Sequence, residues 1–218
     1  MQIRKITLQT TYLQTLKEFY SSVLALPVKI TNEKLQITIG ETELIFTEAK
    51  QAEPFYHFAI TIPANKIQEA KAWLGNKVQL IWMQDYQADI ADFVNWKAKS
   101  VYFFDPAGNI LELIARFDLN NENDLPFSAH QLLSVGEIGL VFNEAEFEQK
   151  TEELLNLYSL SYFFKQPPLP KFRAVGDDQG LFVIIPQHRN WYPTDKPADI
   201  FPLTVEFENA NRHYSLRM

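Results

Sequence analysis

The chain has 218 residues, of which 46% are hydrophobic and 22% charged, as is ordinary for a globular protein with a real core. Its net charge of −7, without a block of Lys or Arg, argues against a nucleic-acid or membrane partner. The absence of cysteine excludes disulfides, thiolate metal sites and cysteine nucleophiles. The sequence shows no signal peptide and no apolar run of roughly 18–20 residues, so we expect a cytoplasmic protein.

The first 50 residues predict a strand, a helix and three further strands. Ile3–Gln9 alternates apolar and polar residues, and Tyr12–Leu24 carries apolar residues at helical spacing. Three short strand-like runs follow: Val28–Thr31, Leu35–Ile39 and Glu43–Thr47.

The same order of elements returns between residues 55 and 118. Tyr56–Ile62 is strand-like, and Asn65–Leu74 has the spacing of a helix. Three more strand-like runs complete this second unit: Val78–Trp82, Lys99–Phe104 and Ile110–Arg116. An aromatic insertion occupies residues 83–97, and Asp105–Asn109, with the sequence DPAGN, is strong turn chemistry between the last two strands.

A third, fainter copy lies between residues 130 and 218, after a linker at residues 119–129. Its elements are the strand Val135–Phe142, the helix Glu144–Tyr158, the strands Tyr162–Lys165, Phe172–Asp177 and Leu181–Pro186, and a tail strand Leu203–Glu208. The sequence therefore predicts an α+β fold of repeated β-α-β-β-β units.

Pairing of the units is expected because one unit alone leaves an open sheet edge. We expect residues 1–50 and 55–118 to pair as one domain. The third unit then needs cover from the tail strand or from a second copy of the chain, so a homodimer is one expectation.

Glu112 lies in the middle of an apolar strand, where a carboxylate is not normally placed. A buried carboxylate is costly unless it is paired, protonated or bound to a cation. We therefore expect Glu112 to have a functional or structural partner.

Three segments, ITLQTTYLQTLKEFYSSVLALPV, YHFAITIP and FFDPAGNILELIAR, resemble the vicinal oxygen chelate superfamily of glyoxalases, bleomycin-resistance proteins and extradiol dioxygenases. They correspond to its opening strand and helix, its second opening strand and its closing strands. The resemblance covers residues 1–118 well and residues 130–186 more faintly. It implies that two units curl into a cup that holds a divalent metal and its ligand.

In single-site members of that family, the metal ligands are His, His and Glu, from the two opening strands and the second closing strand. On this pattern Lys5, His57 and Glu112 occupy the three positions. An imidazole and a carboxylate suit Mn, Fe, Ni or Zn, whereas the Lys5 ammonium has no lone pair to offer a metal. Three interpretations stay open: a bound metal, catalysis or ligand binding without metal through Lys5 and Glu112, or a vestigial site with no cofactor.

Two further carboxylates bear on the metal site. Glu43 resembles Glu112 in its local sequence, and members with a four-ligand site use a carboxylate there; alternatively, Glu43 is a polar residue beside a hairpin turn. Glu137 stands where Lys5 and His57 stand in their units. Because the third closing run has no carboxylate, we expect no metal site in the third unit.

Four residues are candidate ligand-binding groups. Gln9 shares a strand face with Lys5, and Trp96 lies in the aromatic insertion, which could form a lid or wall over the cup. Arg189 and Trp191 lie in a proline-bounded tail segment that could clamp an anion and stack on a planar ligand, or simply form a rigid surface loop.

The sequence thus favours a protein that binds a small oxygen-rich or aromatic metabolite. One possibility is an isomerase or lyase with a degenerate metal site, with a ring-cleaving dioxygenase less favoured. The other is a metal-free binding protein of the bleomycin-resistance kind, which sequesters its ligand.

Overall fold

A computed structural model describes residues 1–31, 33–50 and 53–218. The strands are β1 (Gln2–Thr10), β2 (Val28–Ile30), β3 (Lys34–Ile39), β4 (Thr42–Glu48), β5 (His57–Ile62), β6 (Ala91–Phe93), β7 (Ala98–Phe104), β8 (Ile110–Arg116), β9 (Ser134–Phe142), β10 (Arg173–Asp177), β11 (Gly180–Pro186), β12 (Thr204–Asn209) and β13 (Arg212–Arg217). The α-helices are α1 (Leu13–Glu18), α2 (Ile67–Gly75) and α3 (Phe147–Tyr158). None of the helices described is both long and apolar enough to cross a membrane.

The strands form two mixed sheets. The first has the order β13-β12-β1-β4-β3-β2, and the second has the order β10-β11-β9-β5-β8-β7-β6. In every unit the opening strand runs parallel to the closing strand, as β5 does to β8 and β9 to β11. The α+β architecture of repeated β-α-β-β-β units is confirmed.

The pairing of the units differs from the expected one. The second unit pairs with the third, through antiparallel β5 and β9, whereas the first unit pairs with the terminal hairpin β12–β13 through β1. Residues 1–50 and 55–118 lie in different sheets, so their expected pairing with each other is not the strand pairing that the structure shows. Each opening strand has one free edge, and any other free edge can satisfy its hydrogen bonds, so local sequence does not choose between the partners.

Several elements differ from the prediction. Val78–Trp82 forms no strand, and only Leu80 bridges to Phe103. Tyr162–Lys165 is reduced to a single bridge between Tyr162 and Val175. The tail contains a second strand, Arg212–Arg217, whose mostly polar sequence gives no alternation of apolar and polar residues that would predict a strand.

Alternation along β5 separates a core face from a pocket face. Phe58, Ile60 and Ile62 belong to one hydrophobic core that also contains apolar residues of the other sheet and of all three helices. His57, Ala59 and Thr61 point to the opposite face because successive side chains of a strand alternate. The strand is nevertheless buried along its whole length, so the pocket face is covered too.

Asp105 organises the turn between β7 and β8. Its carboxylate accepts hydrogen bonds from the Ala107 and Asn109 backbone N–H groups at 2.9 and 3.0 Å and from the Asn109 side chain at 2.8 Å. The Tyr20 hydroxyl donates a fourth at 3.0 Å, which ties the π-helical turn Phe19–Val23 after α1 to this hairpin. The turn thereby fixes the start of β8, which carries Glu112.

We expect Asp105→Asn to lower the free energy of unfolding by about 2 kcal/mol, because an amide N–H₂ would face buried donors that the carboxylate now satisfies. Urea unfolding followed by circular dichroism would measure this. The matched control is Asp124→Asn, since Asp124 is exposed. Equal stability of the two variants would contradict this role of the turn.

Candidate functional site

The floor of the candidate site is a row of residues across the second sheet. Glu112 on β8 lies beside Ala59 on β5, and Ala59 lies beside Glu137 on β9. The small Ala59 side chain leaves room for the two carboxylates to approach each other above it. His57 lies two residues along β5 on the same face. His57, Glu112 and Glu137 are 5%, 2% and 3% exposed, so water does not solvate this cluster freely.

A β-bulge directs Glu137 into the cluster. The register of β9 against β5 shifts so that Val135 pairs with Ile60 while Glu137 pairs with Ala59, which leaves Gly136 as the extra residue. A Cβ on Gly136 would lie 2.2 Å from the Thr61 hydroxyl oxygen, so only glycine fits here. The extra residue lets both Val135 and Ile138 face the core while Glu137 faces the pocket.

His57 presents a bare ring nitrogen to the carboxylates. Its Nδ1 lies 3.1 Å from the Ile110 carbonyl oxygen, which can only accept, so Nδ1 carries the proton and Nε2 has a free lone pair. Nε2 lies 3.7 Å from Glu112 Oε2. Burial lowers the pKa of His57 to about 4, which keeps the ring neutral at physiological pH. His57 Nε2 and the Glu112 carboxylate oxygen are both acceptors, so their close approach requires a proton or a cation between them.

The two carboxylates have different partners. Burial raises the pKa of Glu112, and the charge of Glu137 raises it further. Burial also raises the pKa of Glu137, but there the charge of Arg116 opposes the increase. Arg116 is fully buried and forms an ion pair with Glu137. No Lys or Arg in the described part of the chain lies within ion-pair distance of Glu112.

Arg116 is held in place from several sides. Its guanidinium lies 5.4 Å from the centre of the Trp96 ring and 5.5 Å from that of Phe163. It also lies 3.4 Å from Asp178, which accepts a hydrogen bond from Lys165 at 2.7 Å. This network holds the guanidinium that pairs with Glu137 and so restrains the Glu137 carboxylate.

The cluster fits a divalent metal ion. His57, Glu112 and Glu137 each offer one ligand atom, and these atoms lie within 4.8 Å of one another. A neutral imidazole nitrogen with two carboxylate oxygens is a donor set that Mn, Fe, Ni or Zn accepts. The Ile110 carbonyl orients the imidazole, as backbone carbonyls commonly do for ligating histidines.

A cavity of about 260 Å³ opens above the cluster. Its walls are largely aromatic and include Trp96, Tyr102, Phe172, Trp191 and Tyr192. Trp191 packs against the imidazole of His57, with 5.2 Å between the ring centres. A Cβ on Gly139 would lie 2.4 Å from the Trp191 ring, so the missing side chain at Gly139 leaves the space that the indole occupies.

The sequence matches no family model and none of the curated proteins. Among solved structures, a Bacillus subtilis protein described as a dioxygenase superposes with a TM-score of 0.58 at 17% identity over 85% of this chain. This chain spans 63% of that protein's length. Glyoxalase I from Zea mays superposes with a TM-score of 0.56 at 13% identity, over 90% of this chain and 70% of that one.

The chain has the vicinal oxygen chelate fold. The fold expected from the resemblance is thereby confirmed. At these identities the likeness is one of fold, and it does not extend to substrate.

Within this vicinal oxygen chelate fold, five of the predicted site residues meet in one cavity. His57 and Glu112 lie on its floor, and Trp96, Arg189 and Trp191 line its walls. The tail segment that carries Arg189 and Trp191 therefore covers the pocket, and Trp191 is 4% exposed.

The other three predicted residues lie in the first sheet. Lys5 Nζ is 3.2 Å from Glu206 and 4.0 Å from Glu43, with a third of its side chain exposed. Gln9 lies further along β1, on the same half-exposed face. The expected pair of Lys5 and Glu112 is wrong, and so is Glu43 as a partner of His57, because β1 and β4 belong to the other sheet.

Glu137 is the residue that sequence reasoning missed. Glu137 occupies the position in the third unit that His57 occupies in the second. The closing strand of the third unit has no carboxylate, so the sequence predicts no metal site there. The structure instead combines Glu137 with the closing strand of the second unit. Arg116 was also missed, because it ends an apolar strand, a position where an exposed charge is usual.

We expect His57 to make the metal-free protein less stable in acid. Unfolded His57 takes up a proton near pH 6.5, but folded His57 does so only near pH 4, so stability falls as the pH drops through that window. From pH 7 to pH 5 the loss is about 2 kcal/mol.

Urea unfolding of the chelator-treated protein at both pH values would measure it. His57→Gln should lose that share of the pH dependence, whereas His213→Gln, at an exposed histidine, should keep it. An identical pH dependence in wild type and His57→Gln would refute the assignment of a neutral buried imidazole.

Proposed function

We propose that this chain binds a divalent metal ion through His57, Glu112 and Glu137 and acts there on a small oxygen-bearing molecule, as an isomerase or lyase. The observation that carries the proposal is the convergence of three buried ligand atoms within 4.8 Å, at the floor of an aromatic cavity. When bound, such an ion would polarise a ligand oxygen as a Lewis acid.

The protein's own groups suit proton transfer in that cavity. Glu112 faces the cavity without a cationic partner among the described residues, so its carboxyl group is the one able to accept or donate a proton. Glu137 is restrained by Arg116 and holds its place on the floor. The aromatic walls exclude water, which strengthens each electrostatic contact inside.

A second candidate function is metal-free binding, and Arg116 favours it. Its guanidinium already neutralises one of the two carboxylates, and a proton on Glu112 would neutralise the other. The cavity would then sequester an aromatic ligand without any metal, as the sequence analysis also allowed. The two candidates differ in whether the folded protein takes up metal.

Metal titration of the chelator-stripped protein decides between them. We expect calorimetry with Mn, Fe, Ni and Zn salts to show near-stoichiometric binding of at least one ion. His57→Ala, Glu112→Gln and Glu137→Gln should each weaken it by roughly 10-fold or more, because each removes one ligand atom.

Glu43→Gln is the matched control, since Glu43 is a carboxylate on the other sheet and should leave affinity unchanged. Circular dichroism establishes that each variant is folded. Absence of binding by folded wild type would sink the metal centre and leave the metal-free function.

Two sequence-based expectations stay predictions: a homodimer and a location in the cytoplasm. The expected small-molecule partner is part of the proposal above.

A further inference from the structure

Arg189 carries a charge that its surroundings do not balance. Three other arginines that are buried or half-buried form ion pairs: Arg116 with Glu137, Arg173 with Glu148, and Arg4 with Glu41 and Glu208. The half-buried side chain of Arg189 has no hydrogen-bond or ion-pair partner among residues 1–31, 33–50 and 53–218. It lines the cavity and lies over the Phe172 ring, 5.4 Å from its centre.

Tyr192 offers a second unused polar group to the same cavity. Its hydroxyl is buried and finds no hydrogen-bond partner in the described part of the chain. Its ring is held against Tyr102 and Phe93, at centre-to-centre distances of 5.9 and 6.2 Å. A buried hydroxyl without a partner is costly, and a ligand oxygen would relieve that cost.

The cavity sets the size and shape of what can bind. Its volume of about 260 Å³ is below the roughly 300–1,000 Å³ typical of pockets for drug-sized ligands. Trp96, Phe172 and Trp191 present ring faces and edges to it, which favours a planar ligand. One aromatic ring with a short substituent is the appropriate size.

We propose that the ligand is a monocyclic aromatic acid whose carboxylate is bound by Arg189 and the Tyr192 hydroxyl while its ring packs among the aromatic walls. Guanidinium and carboxylate form charge-assisted, often bidentate hydrogen bonds, which makes a carboxylate the natural complement of an unpaired arginine. The inference deepens the proposed function and rests on the same cavity, but it does not require the metal.

The test compares an acid with its neutral amide. Ligand-observed NMR titrations would give the affinities of 4-hydroxybenzoate and 4-hydroxybenzamide for the metal-free protein and for protein supplied with Zn. We expect the acid to bind wild type at least 10-fold more tightly than the amide, since a hydrogen bond to a charged group contributes this much in a buried site.

Variants locate the carboxylate. Arg189→Gln should abolish the preference for the acid over the amide, and Tyr192→Phe should weaken binding of the acid severalfold. Arg217→Gln, at an exposed arginine, is the matched control and should behave as wild type. An acid that binds no more tightly than the amide, or a preference that survives Arg189→Gln, would overturn the proposal.

The same variants keep this inference separate from the metal centre. Arg189→Gln should retain metal affinity, whereas Glu112→Gln should lose it. If wild type takes up no metal but still prefers the acid through Arg189, the metal centre fails and the aromatic-acid inference stands. If metal binds and the acid binds no more tightly than the amide, the metal centre stands and the aromatic-acid inference fails.

Discussion

The structure depends on the burial of Glu112 and Glu137 side by side, with the bare Nε2 of His57 facing them. Removing two carboxylates from water is unfavourable unless nearby groups compensate for the lost hydration. Arg116 does this for Glu137, and it is itself supported by Asp178 and by two aromatic rings. Among the described residues Glu112 has no ion pair with a Lys or Arg, and the Ser100 and Tyr102 hydroxyls together with the more distant charge of Arg116 only partly offset the effect of burial on its pKa. A proton or an exogenous cation must complete the cluster, and this requirement gives the cavity its chemistry.

The two sheets differ in how far the face that carries their charged residues is covered. In the first, the face that carries Lys5 also carries Glu43 and Glu206, and their charges pair while remaining partly exposed to water. In the second, the corresponding face is covered by aromatic side chains, with Trp191 and Tyr192 contributed by the tail segment. In the described part of the chain, the covered sheet combines an aromatic cavity with convergent buried polar groups, which favours it as the ligand-binding site.

Much of the fold and part of the site could be predicted from the sequence. The family resemblance placed His57 and Glu112 at metal-ligand positions of apolar strands, and the DPAGN turn predicted where the strand that carries Glu112 begins. The strand that pairs with each opening strand could not be predicted, because the backbone groups of a free strand edge can form hydrogen bonds with any other free edge. Lys5 and Glu137 stand at the same position of their units, and only the pairing of β5 with β9 decides which of them meets His57.

The bulge at Gly136 means that the site is specified by chain length as well as by residue identity. Three steps, rather than two, separate the core residues Val135 and Ile138. Deleting Gly136 would remove only the unpaired residue, because Val135 and Glu137 would then be neighbours that still lie opposite Ile60 and Ala59. Deleting a paired residue such as Ile138 would instead move the rest of β9 to the opposite faces and bring Leu140 into the cavity. Deletion of a paired residue of β9 would therefore be more damaging than most substitutions, because no choice of side chain can restore a lost register.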